Sequence, residues 1–277
     1  MPVNLLLCEG GPGSPDVRVL SKILSSLCEV KPSGGKYGMG DRIISRRETL
    51  GADAVFGILD GDFIEKWTHP KKKPSPWTSK DEKISFGWRW ERKEIENYLI
   101  DPDIVEKALS NASFDKRYYI SALEKARDNI SFYQAARIAL NTSRKRFQPL
   151  SSSFGAKRGQ ENHPFPDELD ESSCINGIKS VIQSHQQDQW VSEQEAIESY
   201  QQYKPECLQG GSRHKNYLIA FSGKDLLWEI NHWLSQNNLI GAWAFREKII
   251  QGIKNSTDDV STWLAEWSAL KDEIIKL

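Results

Sequence analysis

Two short apolar runs in this chain stop at carboxylates. Val3 to Cys8 ends on Glu9, with Gly10 and Gly11 behind it, and Ala54 to Leu59 ends on Asp60-Gly61-Asp62. Short apolar runs bounded by turn residues read as strands buried on both faces of a parallel sheet. Ligands of open α/β sheets collect beyond the carboxyl ends of such strands. Asp60 and Asp62, at i and i+2, can face one ligand, and the intervening glycine lets backbone approach closely. Three carboxylates gathered there repel by roughly 1–4 kcal/mol per pair at about 4 Å. A hard divalent cation relieves that repulsion through oxygen ligands. The pattern therefore predicts a metal site for one or two Mg²⁺ or Mn²⁺ ions at Glu9, Asp60 and Asp62. The plain alternative is an acidic turn, which Asp and Gly favour in any protein.

Bulk properties narrow the class. With 38% hydrophobic and 27% charged residues over 277 positions, the balance is that of a folded chain rather than a disordered one. No apolar run approaches the roughly 20 residues a membrane helix needs. Met1-Pro2-Val3 leads straight into the first strand without a basic leader, so the expectation is a cytoplasmic protein with no membrane partner. The net charge of −1 announces no global field for nucleic acid, although 37 Lys and Arg can cluster on one face. Cys8, Cys28, Cys174 and Cys207 are scattered without a C-x-x-C pair, which fits reduced thiols and no zinc site. The five histidines show no H-x-x-x-H pair, and none is expected as a ligand. Ten Trp is a high count; most belong in a core, and a few can stack on bases.

Along the first 105 or so residues, strand and helix signals alternate. Val17, Leu20, Ile23, Leu24 and Leu27 repeat at helical spacing after Pro15 and Asp16; Cys28 to Val30 is a short strand; Asp41 to Leu50 is a second helix. Phe63 to Lys83 reads as a loop insertion, and strand character resumes at Ile84 to Trp88. The expected fold is α/β, with a parallel or largely parallel Rossmann-like sheet and helices on both faces. From about Asp101 the pattern turns helical. Tyr118, Ala122, Ala126, Ile130, Tyr133, Ala136 and Leu140 lie near one face of a long segment, and Ser143 to Glu171 reads as irregular. Helical stretches return at 175–184, 193–203, 224–234, 242–253 and 260–275. The expected organisation is a metal-binding domain over 1–105 and a mainly helical domain over 106–277.

Several residues of this ordered set resemble a known family. Glu9-Gly10, Gly34-Gly35-Lys36 and Asp60-x-Asp62, each after a strand, resemble a TOPRIM domain. Trp90-Glu91-Arg92-Lys93-Glu94-Ile95-Glu96-Asn97-Tyr98-Leu99 resembles a stretch of the TOPRIM subgroup related to OLD nucleases and to the AriB effectors of the PARIS anti-phage system. Phe221-Ser222-Gly223-Lys224-Asp225-Leu226-Leu227 is similar to a late element of that subgroup. The resemblance implies metal ligation or base duty for Glu9, ligation by Asp60 and Asp62, an additional carboxylate in Glu96 and a weaker one in Glu94. Family members commonly carry an Asp four residues after the first Glu. Here Asp16 is seven residues on, and it either ligates a second ion or caps the helix.

Glu94 and Glu96 share a face on a strand but not on a helix, and their dull reading is a solvated helix start. Lys224 either offsets charge on a phosphate or leaving oxygen or is a surface lysine at a helix start. Lys36, Lys71-Lys72-Lys73 and Arg144-Lys145-Arg146 are candidate phosphate contacts, against the commoner reading of solvated charge. Metal-bearing carboxylates suit phosphoryl chemistry, and the resemblance implies an endonuclease acting on DNA or RNA, transfer RNA included, as a toxic anti-phage effector under a partner ATPase. No Walker spacing occurs in this sequence. One alternative is a haloacid-dehalogenase-like phosphatase with Asp60 as nucleophile, Asp62 as acid/base and Asp258-Asp259 as the late acidic pair. Against it, Ile64 stands where a hydroxyl residue is usual. Another alternative is a non-catalytic module holding a metal or partner through the same edge. Monomer and homo-oligomer are both left open.

Overall fold

The computed structural model describes residues 3–63, 69–110, 114–143, 156–158, 163–165, 170–189, 191–237 and 241–277. Strand β1 (Leu5–Cys8) pairs in parallel with β2 (Glu29–Pro32) on one side and β3 (Val55–Leu59) on the other. Strand β5 (Ser85–Arg89) continues the parallel run beside β3, and β4 (Ser75–Thr78) closes the edge antiparallel to β5. The order β2-β1-β3-β5-β4 is the mostly parallel sheet that the alternating signals predict. One correction falls inside the expected loop insertion 63–83, which contributes β4. Its Ser-Pro-Trp-Thr sequence lacks a buried strand's apolar run because an edge strand is half-exposed, and its proline has no ladder to break on that side.

Helix α1 (Pro15–Ile23) links β1 to β2, and α2 (Met39–Leu50) links β2 to β3. These two crossovers run in opposite directions across the sheet, so right-handed connections put them on opposite faces. Met39 and Ile43 of α2 pack on Leu5, Leu7, Val55 and Leu59, with Trp77 and Phe86 at the margin. Full burial of each such side chain stabilises the fold by about 1.5–3 kcal/mol.

Two compact units divide the chain: Met1–Ala135 with Lys204–Leu277, and Ala136–Tyr203. A boundary at residue 105 is thus not where the structure separates. The reason is packing: the first unit recruits the C-terminal helices, with α12 (Ala242–Asn255) lying on α1 and on α4 (Pro102–Leu109). Arg18 of α1 pairs with Glu247 of α12 at 2.6 Å, and Lys22 reaches the Ser256 carbonyl at 2.8 Å. This unit also holds the short helices α3 (Glu96–Leu99), α8 (Ser212–Lys215), α9 (Tyr217–Ala220), α10 (Gly223–Glu229) and α11 (Asn231–Gln236), then a 3-10 turn (Val260–Trp263) and α13 (Ala265–Ile275).

The long helix α5 (Lys116–Ser143) forms as expected, but its buried stripe is shifted. Tyr119, Leu123, Ala126 and Ile130 are buried, while Tyr118, Tyr133 and Leu140 are exposed. Tyr119 decides that register by donating its hydroxyl to the Ile100 carbonyl at 2.9 Å. The second unit contains α6 (Glu171–Gln189), most of α7 (Glu193–Cys207) and a small antiparallel hairpin, β6 (Ala156–Arg158) with β7 (His163–Phe165), inside the stretch expected to be irregular. No described helix is long and apolar enough to cross a membrane.

Candidate functional site

Strand order 2-1-3 makes the boundary between β1 and β3 the place where crossovers diverge, the crevice in which open α/β sheets hold ligands. Glu9 leaves β1 there and Asp60 leaves β3 beside it, and the Asp60 backbone N–H donates to Glu9 Oε1 at 3.1 Å. The chain then keeps pairing after β3 ends: Gly61 N–H donates to the Arg92 carbonyl and Asp62 N–H to the Lys93 carbonyl, both at 3.0 Å. A side chain at Gly61 would strike the Arg92 and Trp90 carbonyls, so the close approach expected of this glycine is made to the neighbouring backbone. Asp62 sits at φ 55°, a left-handed conformation that Asp tolerates better than most residues.

The strand beside β3 brings the second acidic pair. Past β5 the chain turns at Glu94 into α3, whose first residue is Glu96; both are buried, which overturns the solvated helix start. Burial works against an ionised Glu94. Lys93 Nζ at 3.0 Å, Lys224 Nζ at 2.9 Å, the Lys224 backbone N–H and the Ser222 hydroxyl outweigh it and hold its pKa at about 2. Lys224 Nζ also lies 3.0 Å from Glu96 Oε2, and Arg246 reaches Glu96 Oε1 at 3.3 Å. Burial opposes the Lys224 charge, but Glu94 and Glu96 win and raise its pKa. Lys224, half-exposed in the first turn of α10, is a cation set among carboxylates.

Asp16 is not the helix cap. Ser14 takes that place, accepting the Val17 N–H, and Asp16 lies in the first turn. Its pKa is pushed to about 7 by burial first and then by Glu96, with Glu9 adding to it and Lys224 opposing. Asp60 is raised well above its ordinary value by burial, then by Asp16 and Glu9. Its Oδ1 is sealed from solvent without a hydrogen-bond partner. Glu9 is raised by burial, with a further push from Asp62. These couplings put Glu9, Asp60, Asp62, Glu94 and Glu96, from beyond the ends of three adjacent parallel strands, in one neighbourhood with Asp16 from the first turn of α1.

Among the described residues, no three His, Cys, Asp or Glu side chains are grouped closely enough to hold one ion as they stand. Cations of the chain occupy the gaps: Lys224 lies between Glu94 and Glu96, and Lys36 pairs with Asp62 at 2.5 Å. The donor chemistry nevertheless fits a hard divalent cation. It is all oxygen, includes an unpartnered buried oxygen on Asp60, and has its affinity for protons raised by burial at Asp16 and Asp60, where an ion would compete with them.

The other expected contacts are less central. Lys36 is engaged with Asp62, while Lys71, Lys72 and Lys73 are exposed before β4 and enter none of the described ion pairs of the cluster. Glu91 anchors that loop by accepting the Lys71 and Lys72 backbone N–H groups. Arg144, Lys145 and Arg146 lie outside the described residues. Asp259, of the late acidic pair, caps the 3-10 turn and pairs with Lys271 at 2.7 Å.

Sequence reasoning missed the residues that assemble the site. Asn97 is fully buried; its amide donates to the Phe221 carbonyl at 2.8 Å and its Oδ1 accepts from Glu94 N–H at 3.1 Å and Gly223 N–H at 3.2 Å. Ser222 caps α10 while binding Glu94. Arg246 and Arg89 carry no local signal at all; Arg89 Nη1 lies 3.8 Å from Asp62 and donates to the Asp60 carbonyl at 3.4 Å. The chain matches no protein-family model and no curated protein.

Proposed function

We propose that the chain is a TOPRIM-type nuclease that hydrolyses phosphodiester bonds of DNA or RNA with a divalent metal. One observation carries the reading: carboxylates from the ends of β1, β3 and β5 and Asp16 from the first turn of α1 face the sheet's switch point, where the ammonium of Lys224 pairs with Glu94 and Glu96 and is felt by Asp16 and Asp60. Perturbed acidic groups converging in a crevice are the mark of chemistry.

Glu9, Asp60 and Asp62 would hold the ion, with Asp16, Glu94 and Glu96 beside them. When bound, Mg²⁺ or Mn²⁺ supplies charge for the developing phosphoryl oxygens and lowers the pKa of an attacking water. Glu9, its pKa raised, is suited to accept that water's proton in place of ligating the ion. The half-exposed ammonium of Lys224 supplies fixed positive charge for the scissile phosphate or the leaving oxygen. The resemblance to effectors of anti-phage defence extends the proposal to a toxic activity restrained by a partner ATPase, which would supply any ATP dependence.

The test is cleavage of plasmid, single-stranded DNA and transfer RNA with Mg²⁺ or Mn²⁺, beside Glu9→Ala and Asp60→Asn. Loss of metal-dependent cutting by about 100-fold or more in both variants is expected. Turnover of a small phosphate ester through an aspartyl-phosphate at Asp60 would instead make the protein a phosphatase. Inertness on every substrate, together with expression that is harmless in cells, would leave the binding module.

A further inference from the structure

Trp228 and Trp243 are the two most exposed indoles among the described residues, at 59% and 49%. They come from different helices, α10 and α12, yet their ring centroids lie 6.1 Å apart with planes at 51°. Two large apolar rings left side by side in water forgo burial, and a paired exposure of this kind marks a surface kept for a ligand.

Their neighbours say which ligand. On α10, Trp228 follows Lys224 by one helical turn, so the two side chains share a face. On α12, Arg246 follows Trp243 by three residues and lays its guanidinium over that ring, 4.5 Å from the centroid. Arg246 and Lys224 both then contact Glu96, at 3.3 and 3.0 Å. Trp243 is therefore tied through Arg246 to Glu96, and Lys224, on Trp228's face of α10, pairs with the same carboxylate of the candidate site. Flat π-faces beside fixed cations, next to carboxylates suited to a metal, match the alternation of base and phosphate along an unpaired strand. A duplex hides its base faces in its own stack and offers no such match.

The geometry points to a stacking platform, formed by Trp228 and Trp243 with Arg246 behind it, that takes unpaired nucleobases flanking the phosphate at the carboxylate cluster. The assignment rests on the nuclease reading for its substrate, and it narrows that substrate to single-stranded, looped or flipped-out nucleotides. Trp and Arg are also common anchors of protein interfaces. The shared tie to Glu96 favours the nucleotide, because a protein partner has no use for a metal-binding edge beside its anchor.

Binding can be measured apart from cutting by fluorescence anisotropy in EDTA, with labelled oligothymidylate and oligouridylate and an abasic strand of equal length. Stacking on an aromatic side chain contributes about 1–3 kcal/mol per base, or about 5- to 150-fold in affinity. The double variant Trp228→Ala, Trp243→Ala is expected to bind the base-bearing strands at least about 5-fold more weakly than the wild type. It should no longer distinguish them from the abasic strand, and Phe at both positions should recover most of the loss. Both rings are exposed, so the fold should tolerate these changes. Wild-type affinity in the double variant, equal wild-type affinity for abasic and base-bearing strands, or no binding of any strand would overturn the platform; the first result would turn the indoles over to a protein partner. Cutting is scored separately on the same strands with Mg²⁺. Base-dependent, Trp-dependent binding without cutting, together with expression that is harmless in cells, would sink the nuclease and leave the platform standing.

Discussion

At the scale of single residues, the site is a problem of like charges, and Lys224 is the chain's own answer to it. Its ammonium touches Glu94 and Glu96, and Asp16 and Asp60 both feel it. Removing one partner of a buried ion pair costs about 3–5 kcal/mol. Lys224 is half-exposed and Glu94 keeps Lys93, so about 1–3 kcal/mol is the reasonable figure here. Lys224→Ala should therefore lower the melting temperature by several degrees in EDTA. Mn²⁺ should restore more stability to this variant than it adds to the wild type, because the ion takes over charge that the ammonium neutralised. Scanning calorimetry with and without Mn²⁺ checks this; equal Tm values for variant and wild type, both blind to Mn²⁺, would show that the carboxylates need no cation.

At the scale of elements, the site depends on α10 meeting the turn before α3. Gly223 lies so close to the backbone of Glu96 and Asn97 that any side chain there would strike it. Asn97 stitches the same contact through two hydrogen bonds, to the Phe221 carbonyl and from the Gly223 N–H, and a third holds its own turn at Glu94. Gly223→Ala should push α10 away and carry Lys224 off Glu94, and Asn97→Ala should cost about 2–4 kcal/mol by leaving buried backbone groups unpaired. Urea denaturation gives the magnitude. Wild-type stability in Asn97→Ala would mean that the stitch is ornamental. This contact also marks the limit of what the sequence discloses. Glu9, Asp60 and Asp62 were legible because each ends an apolar run of fixed meaning, and β4 was missed because an edge strand has no such run. Asn97, Ser222 and Arg246 were not legible as site residues, because each acts across a gap of 124 or more positions, and nothing local records a contact that packing alone creates. The register of α5 failed for a related reason. Tyr118 and Tyr119 are equally apolar by composition, and a tertiary hydrogen bond chooses between them.

For the whole molecule, these groups together set how stability follows pH. Asp16 and Glu266 are each held at about 7, chiefly by burial, and Asp60 is raised with them. Glu266 lies apart from the cluster, accepting the Tyr98 hydroxyl at 2.7 Å and the Glu91 N–H at 2.6 Å. A carboxyl with a raised folded-state pKa binds more protons folded than unfolded between its two values, so stability falls as pH climbs through that window. For Asp16 and Glu266 the window runs from about 4 to about 7. Glu94, held at about 2, has the opposite sign, but its contribution is lost only below its ordinary value and does not compensate above it. In EDTA the melting temperature should therefore be higher near pH 5 than near pH 8. Asp16→Asn and Glu266→Gln should each flatten part of that fall, by a few degrees for about 1–2 kcal/mol in a chain of this size. Mg²⁺ should raise the melting temperature more at pH 8 than at pH 5, since it competes with protons for the cluster. It should leave the Glu266→Gln increment unchanged, because that carboxyl has Tyr98 and Glu91 for company instead. A melting temperature that stays level or rises from pH 5 to pH 8 without metal would mean these carboxyls are not strained by burial, and the case for a cation-seeking cluster would fall with it.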